Sequence, residues 1–567
     1  MSLATHKKIK LRNQNTKEAE AIKSKFNLSP VASRVIAARG YKADDELKTF
    51  LSPTLKEGLP HPEQLKNLDA ACDLIAETVE LGGKIAICCD FDVDGLTGGS
   101  QVLHFFQSIG VETEIFVPDR FLDGYGLNSE MVKEAVEKGC SLLITIDFGT
   151  TNQNELELAQ SLGLNTIVID HHHVGAHEPP ATVFINPNQQ GCGFAGKILA
   201  AAGLAWYLVA ALCRKLPQAK GIDPKSYLDI ACLGTICDMV PLVGANRVIA
   251  KRGLELLTTS KRPGMIAMKN LMNVNEAMSC YHVSFGIGPR INAAGRMAHG
   301  KIVTELLTTS DSKRAEKIAA KLERLNKGRQ ETESKIKERA QKIVERKGEL
   351  PAGILVWDES YHTGVIGIVA QRLVEAYYRP SAVMGMDEQG IYKGSARGII
   401  GFNVVQALTN VGEHLLKFGG HEGAGGFAVA EEKLEAFVEA YTAECERQLA
   451  SLETDPYATA DTEVNLKELE LSVVEELKTF EPFGMGNASP QLMLKAAEVK
   501  EITVLKNAHI KAQLTDGKNY INAFLWRETE HPALSVGAKV NVVFKPDINS
   551  FNGYTSLQAN IQAVEAA

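Results

Sequence analysis

The chain has 567 residues, 45% hydrophobic and 23% charged, with a formal net charge of −8, a length that allows three or four domains of about 150 residues, each with its own core. The negative balance excludes a protein that holds nucleic acid by bulk positive charge, so any phosphate must be met by local basic residues or bound cations. Ten cysteines without a CxxC pair exclude a disulfide scaffold and a cysteine zinc site, and fit reduced thiols in the cytoplasm.

The start, MSLATHKKIKLRNQ, lacks the apolar core of a signal peptide, and residues 1–50 read as a polar, loosely packed N-terminal segment. From about 51 to 260, helical stretches alternate with the short β-branched runs KIAICC, TEIFVP, LLITI and TIVI. Such alternation predicts a parallel sheet flanked by helices. Three of these runs end in chemistry: KIAICC enters DFDVDG, LLITI enters Asp147, and TIVI enters DHHH at 170–173. Ligands of open α/β sheets gather beyond the carboxyl ends of the strands, so the three acidic ends can converge on one crevice.

The apolar run Ile198 to Cys213 falls short of the ~20 residues that a bilayer requires and predicts a buried core helix, with no membrane role. Asp238 closes a further apolar, helix-like stretch, YLDIACLGTICDMVPL. From Ser312 to Glu349 an apolar residue returns every three or four positions among charges, which predicts a long, solvent-washed helix. Pro351 precedes a new strand, GILVW, and the helix GVIGIVAQRLVEAYY, the start of a second α/β unit. Beyond Pro456 come short alternating stretches and a turn signal at Asn552-Gly553, the texture of a small sheet or barrel. The predicted divisions are thus an N-terminal segment 1–50, a first α/β domain 51–310, a helix 311–349, a second α/β domain 350–455 and a barrel 456–567.

Asp90, Asp92 and Asp94 crowd three like charges together, which is costly unless a cation lies among them. Asp147 alone reads equally as a turn former or helix cap, and Asp238 alone as a helix-ending residue. DHHH is sharper, because it offers imidazole ligands beside a carboxylate that can orient one of them. Carboxylates and imidazole without cysteine favour Mn²⁺ or Mg²⁺ over structural zinc, and the histidine tilts the choice to manganese. The five aspartates Asp90, Asp92, Asp94, Asp147 and Asp238 with a histidine suffice for two ions, the arrangement of two-metal phosphoester hydrolysis.

In this order DFDVDG, Asp147 in DFG, DHH and Asp238 resemble the four motifs of the DHH phosphoesterase superfamily. PDRFLDGYGL (118–127), GPRINAAGRM (288–297), YHTGVIGIVAQRL (361–373), KGSARG (393–398), FGGHEGAGG (418–426) and EPFGMGN (481–487) resemble, within it, the RecJ family of single-strand-specific exonucleases. The resemblance covers nearly the whole chain and is weakest before residue 50. It implies an α/β fold made of a parallel-sheet DHH catalytic domain, a connecting helix, a second α/β DHH-associated domain and a C-terminal OB-fold-like β-barrel. The activity implied is metal-dependent 5′ to 3′ hydrolysis of single-stranded DNA in repair and recombination.

Residue by residue, the resemblance implies one ion at Asp92 and a shared Asp147, with Asp90 as neighbour or ligand. A second ion falls to Asp94, Asp147, His171 and Asp238. His172 would face the scissile phosphate, and Asp170 would orient a histidine. The 5′ phosphate and strand would be met by Ser395 and Arg397 in KGSARG, with backbone N–H groups of the glycine-rich stretches, and by Arg120, Arg290, Arg296 and His421. Structural ion pairing is the rival reading of Arg290 and Arg296. Trp526, Phe551 and Tyr554 are candidates for base stacking in the barrel, and a groove beside the long helix would take the rest of the strand. A RecQ-type helicase and a single-strand-binding protein are the implied partners. The sequence departs from the family in Phe91, where tyrosine is common, and in Phe148, where a smaller residue is usual; neither removes a ligand. Other readings are a DHH-family phosphodiesterase of short oligonucleotides and a non-catalytic replication scaffold. The filled ligand positions and the extra C-terminal domain favour the exonuclease.

Overall fold

A computed structural model describes residues 7–346, 348–551 and 554–567, apart from the side chain of Phe551. The predicted turn at Asn552-Gly553 and the stacking candidate Phe551 therefore lie outside the described residues and side chains. The chain divides into two units, Lys48–Arg329 with Phe480–Ala488, and Met1–Leu47 with Gln330–Thr479 and Ser489–Ala567.

The first unit is built on a five-stranded sheet whose order is Thr113–Phe116, Lys84–Cys89, Cys140–Ile146, Asn165–Ile169, Val183–Ile185, with every pairing parallel. Alternate strand residues enter two different cores. Ile85, Ile87, Ile144 and Ile169 pack with the Val93–Ser108 and Ala201–Lys215 helices, while Ala86, Cys88, Leu143 and Val168 pack with the Ser129–Glu137 and Gln153–Ser161 helices. A parallel sheet covered on both faces needs such uninterrupted apolar strands, which is why the four runs are legible. The chain leaves Lys84–Cys89 for one edge and returns on its other side, so the sheet reverses direction between Lys84–Cys89 and Cys140–Ile146. A crevice at the carboxyl ends of the strands belongs at that switch point.

The run predicted as a core helix forms Ala201–Lys215 and is buried along most of its length. No helix among the described residues is long and apolar enough to cross a membrane. Arg247, only 2% exposed, donates to the backbone oxygens of Phe50 (2.9 Å), Phe480 (2.9 Å) and Glu481 (3.0 Å) and lies 3.9 Å over the Phe50 ring. One guanidinium thus fastens the Phe480–Ala488 segment to this unit. Arg247→Met is expected to destabilise the unit by roughly 3 kcal/mol, because three buried carbonyls lose charged donors; urea denaturation followed by tryptophan fluorescence checks it.

The second unit contains a five-stranded sheet ordered Lys417–His421, Ala424–Ala430, Ile391–Arg397, Ser381–Met386, Ile354–Trp357, antiparallel except for the last pair. Its C-terminal part is a closed ring of Leu492–Leu505, His509–Thr515, Tyr520–Trp526, Tyr554–Ala566 and Lys539–Phe551, sealed where Lys539–Phe551 pairs back onto Leu492–Leu505. That ring is the expected OB-type barrel.

Three expectations need correction. The N-terminal segment is not loosely packed: Lys8–Leu11 pairs with Tyr457–Ala460, the helices Thr16–Phe26 and Pro30–Ala38 bury Ile22, Val31, Val35 and Ile36, and Arg39 reaches Asp461 at 2.8 Å. Its polarity misled because the surfaces it covers lie more than 400 residues away in sequence. The helix over Ser312–Arg346 forms, but Ala315, Ile318, Ala319 and Leu322 are buried in the first unit and Ala340 in the second, so it is not solvent-washed throughout. Finally, KGSARG and FGGHEGAGG lie mostly in strands rather than in loops. They are paired strands in which Ser395 faces Gly426 and Gly419 faces Gly426 from the other side. Gly394 answers to packing: a Cβ there would fall 2.1 Å from the Phe427 ring.

Candidate metal centre

The sheet register sets three carboxylates at one level. Cys89 pairs with Ile146 and Ile146 with Ile169, so Asp90, Asp147 and Asp170 each follow a strand end in a row. Their amides extend the ladder, Asp90 to Ile146, Asp147 to Ile169 and Asp170 to Ile185. Asp147 takes φ +70, a backbone region that non-glycine residues occupy at a cost and that concentrates at functional sites.

Asp92 caps the Val93–Ser108 helix, its carboxylate accepting the N–H groups of Asp94 (2.9 Å) and Gly95 (3.1 Å). Asp94 accepts from Ala201 (2.6 Å) and Ala202 (2.9 Å) at the start of the Ala201–Lys215 helix, where the helix dipole favours an anion. Asp238 caps the C-terminus of Leu228–Cys237. Each aspartate therefore has a local structural job, and the capping reading accounts for where it sits.

Capping does not account for how the groups converge. Ligand atoms of Asp90, Asp92 and Asp147 all lie within 4.8 Å of one another, as do those of Asp94, His171 and Asp238 and those of Asp147, His171 and His172. His171 Nε2 is 3.2 Å from Asp147 Oδ1, 3.6 Å from Asp238 Oδ2 and 3.7 Å from Asp94 Oδ2. Burial, compounded by the neighbouring carboxylates, pushes Asp94 up to about 7 and Asp238 up to about 9, and raises Asp90 and Asp147 well above the ordinary carboxylate range. Asp90 Oδ1 and Asp147 Oδ1 are buried without a hydrogen bond. Hard oxygen donors with an imidazole, two of the oxygens unbonded and the carboxylates crowded together, fit divalent Mn²⁺ or Mg²⁺.

Asp170 behaves differently. Burial opposes its ionisation, but the hydrogen bond and charge of His172 and the Thr150 N–H outweigh it, holding the carboxyl well below its usual range. It accepts from the His171 and His172 amides (2.7 and 3.1 Å) and lies 2.6 Å from His172 Nδ1. Asp170 thus orients His172 and sits outside the ligand groups, and His172 in turn has its pKa raised by Asp170 against the effect of burial. Asn186 and Asn188 donate to the backbone oxygens of His172 (2.9 Å) and His171 (2.7 Å). Tyr125 Oη donates to Asp147 O at 2.9 Å and lies 3.3 Å from the His172 ring. The sequence reading assigned no role to these three residues; Tyr125 lay inside PDRFLDGYGL, and nothing local marks the two asparagines. Arg120 stacks 4.9 Å over Phe91, and its charge favours the ionised form of Asp90. Phe148 is buried and meets Tyr125 edge-on at 6.4 Å. His173 is exposed.

The candidates for strand binding are more dispersed. Arg290 Nε lies 2.8 Å from Glu323, and Nη1 donates to Gly286 O, so ion pairing engages it in the first unit. Arg296, half-buried, is on the same Gly288–Met297 helix. In the second unit Arg397 Nη1 donates to Ser395 Oγ (2.9 Å) and Ala396 O (2.8 Å), and His421 is exposed at the end of its strand. Trp526 and Tyr554 are exposed. Trp526 lies parallel to Phe524 at 5.5 Å and donates to Asn560 Oδ1.

Residues 84–235 match the family described as DHH family, N-terminal domain, residues 350–447 the DHHA1 domain, and residues 460–563 the RecJ OB domain. The single-stranded-DNA-specific exonuclease RecJ of Haemophilus influenzae is 33% identical over 94% of this chain and 96% of its own. The crystal structure of RecJ in complex with Mn²⁺ from Thermus thermophilus matches with TM-score 0.85 at 28% identity, covering 99% of this chain and 80% of that one. The structure of RecJ in complex with Mg²⁺ from the same organism matches with TM-score 0.78 at 26% identity, covering 99% and 79%.

Proposed function

This chain belongs to the RecJ family, and from that premise we propose that it is a metal-dependent exonuclease that hydrolyses single-stranded DNA from the 5′ end, in repair and recombination. The observation that carries this reading is the junction of two ligand groups, Asp90, Asp92, Asp147 and Asp94, His171, Asp238, across the 3.2 Å contact of Asp147 with His171. Asp90, Asp92 and Asp147 would hold one Mn²⁺ or Mg²⁺, and Asp94, Asp147, His171 and Asp238 the other. Bound there, such a pair supplies an activated water and stabilises the leaving oxygen of a phosphoryl group.

The chain's own contribution is orientation. Asp170 would accept a hydrogen bond from His172 Nδ1–H, which leaves Nε2 as the ring atom to meet a phosphate. With its pKa raised, the imidazole stays protonated to higher pH and so suits an anionic substrate. Arg120 adds a second positive charge beside Asp90. In the second unit Ser395, Arg397 and His421 would bind the terminal phosphate, in the first Arg290 and Arg296 would bind the strand, and the exposed Trp526 and Tyr554 would stack bases. The divisions 51–310, 311–349, 350–455 and 456–567 are the proposed domains, and the three family matches fall within them. Ten cysteines that are all free support a cytoplasmic setting, where a RecQ-type helicase and a single-strand-binding protein would prepare and hold the substrate.

The test is to incubate end-labelled single-stranded and duplex DNA, and single-stranded RNA, with Mn²⁺, Mg²⁺ or chelator. Shortening of the single strand from its 5′ end with metal alone is expected; no shortening with either metal would overturn the reading. Arg397→Ala is expected to lower turnover of 5′-phosphorylated strands by roughly tenfold, about one charge-assisted contact, with metal affinity unchanged. Equal use of 5′-phosphate and 5′-hydroxyl ends by both proteins would remove Arg397 from that role.

A further inference from the structure

In the first unit a pocket of about 710 Å³ is lined by Met272, Asn273, Asn275, Tyr281, Phe285 and Arg290 among others. Tyr281 and Phe285 are 68% and 71% exposed, and their rings lie side by side at 5.1 Å with a 35° tilt. Two large aromatic rings left in solvent on one helical face are costly without a partner. Phe285 belongs to the π-helix His282–Ile287, a rare form that concentrates at functional sites. The π-helix lies against Met272, closely enough that a Cβ on Gly286 would meet its Sδ at 2.5 Å.

The platform is continuous with the metal centre. The π-helix runs directly into Gly288–Met297, where a Cβ on Gly288 would fall 2.6 Å from Cys237 Sγ, next to Asp238, and a Cβ on Gly295 would fall 2.8 Å from the Phe91 oxygen, between Asp90 and Asp92. One helix therefore touches ligand-bearing segments at both ends and carries the aromatic pair at its start. Beside the aliphatic Leu271, Met272 and Val274, the lining carries flat groups: two aromatic rings, the His282 imidazole, the Arg290 guanidinium and two asparagine amides. The exposed Glu276 lies 3.3 Å from His282, and Glu323, beside the pocket, lies 2.8 Å from Arg290 and 3.4 Å from Lys327. A smooth aliphatic groove would suit a protein helix; planar groups with amide edges suit stacked bases.

We propose that Tyr281 and Phe285 form a nucleobase-stacking site for the single strand whose phosphodiester is presented to the metal centre. The proposal rests on the exonuclease reading for the identity of the strand, and on the pocket itself for its recognition. Stacking on each ring adds roughly tenfold in affinity, independent of base sequence.

The experiment uses the full chain and a single strand carrying 2-aminopurine and phosphorothioate linkages, titrated with Mg²⁺ and with chelator. Wild type is expected to quench the fluorophore. Tyr281→Leu with Phe285→Leu is expected to lose the quench and bind roughly 10- to 100-fold more weakly, and Tyr281→Phe with Phe285→Tyr to restore both. The two leucine variants measured singly serve if the double variant melts early. An unchanged dissociation constant and quench in the leucine variants, or no quench by wild type, overturns the site. So does a wild-type dimer in sedimentation that the leucine variants dissociate, since the rings would then face a second copy. Wild type that shortens labelled DNA while the leucine variants bind normally defeats this inference alone. Wild type that quenches but never cuts with Mn²⁺ or Mg²⁺ defeats the exonuclease reading and leaves the base site standing.

Discussion

Asp147→Asn is expected to reduce strand hydrolysis by roughly 10³-fold or more, the equivalent of several kcal/mol of lost charge stabilisation, while raising the melting temperature of the metal-free protein. The first effect follows from position. Asp147 is grouped with Asp90 and Asp92 on one side and with His171 and His172 on the other, so no other carboxylate of the cluster replaces it in both. The second effect follows from electrostatics. Burial and the charges of Asp94, Asp92, Asp90 and Asp238 raise its pKa well above the usual range, so the folded state takes up a proton that the unfolded state releases above about pH 4. That difference destabilises the folded protein at neutral pH, and an amide removes it. Turnover of labelled single strands, and thermal melts with and without Mn²⁺, separate the two effects. A variant that keeps full activity, or that Mn²⁺ still stabilises as much as wild type, would show that Asp147 does not join the two groups.

The same residues show how far the sequence carries. The strand ends were legible because KIAICC, LLITI and TIVI are apolar on both faces and each stops at an acidic residue, a pattern that a doubly covered parallel sheet imposes. The fold class, the second α/β unit and the barrel follow from such local periodicity. The Val183–Ile185 strand was not singled out, since three residues are too few to show a period. Long-range partners were the main blind spot. Ion pairing of Arg290 could be weighed only without a named partner, because Glu323 lies on a different helix, and the N-terminal helices looked unanchored because their cover comes from the far end of the chain. Gly394 of KGSARG has a packing reason, the Phe427 ring beside it, that the sequence does not show. The role of Tyr125 depends on a hydrogen bond to a backbone oxygen 22 residues on, for which no side-chain pattern exists.

Metal should stabilise this protein more as the pH rises, while the metal-free protein weakens. The folded-state values of Asp94, about 7, and Asp238, about 9, exceed the ~3.9 of an aspartate in an unfolded chain. Between those limits the folded state holds more protons than the unfolded one, so the contribution of these two groups to stability is greatest below about pH 4 and declines as pH rises through the folded values. Divalent ions reverse the balance, because their ligands must be deprotonated and binding releases those protons. At about pH 6 protons compete for Asp94 and Asp238; at about pH 8.5 Asp94 is ionised and Asp238 roughly a quarter so. Mg²⁺ at a hundred times its dissociation constant adds about 2.7 kcal/mol, or roughly 4 °C in a unit of this size. The expected result is an increment in melting temperature that grows across this interval, with proton release on binding detected by titration calorimetry in two buffers of different ionisation enthalpy. Asp238→Asn should flatten the upper part of the curve, since the group that titrates highest among those with assigned values is then gone. An increment that is constant or falls with pH would mean that the ion does not displace protons from this cluster, and the ligand assignment of Asp94 and Asp238 would fail with it.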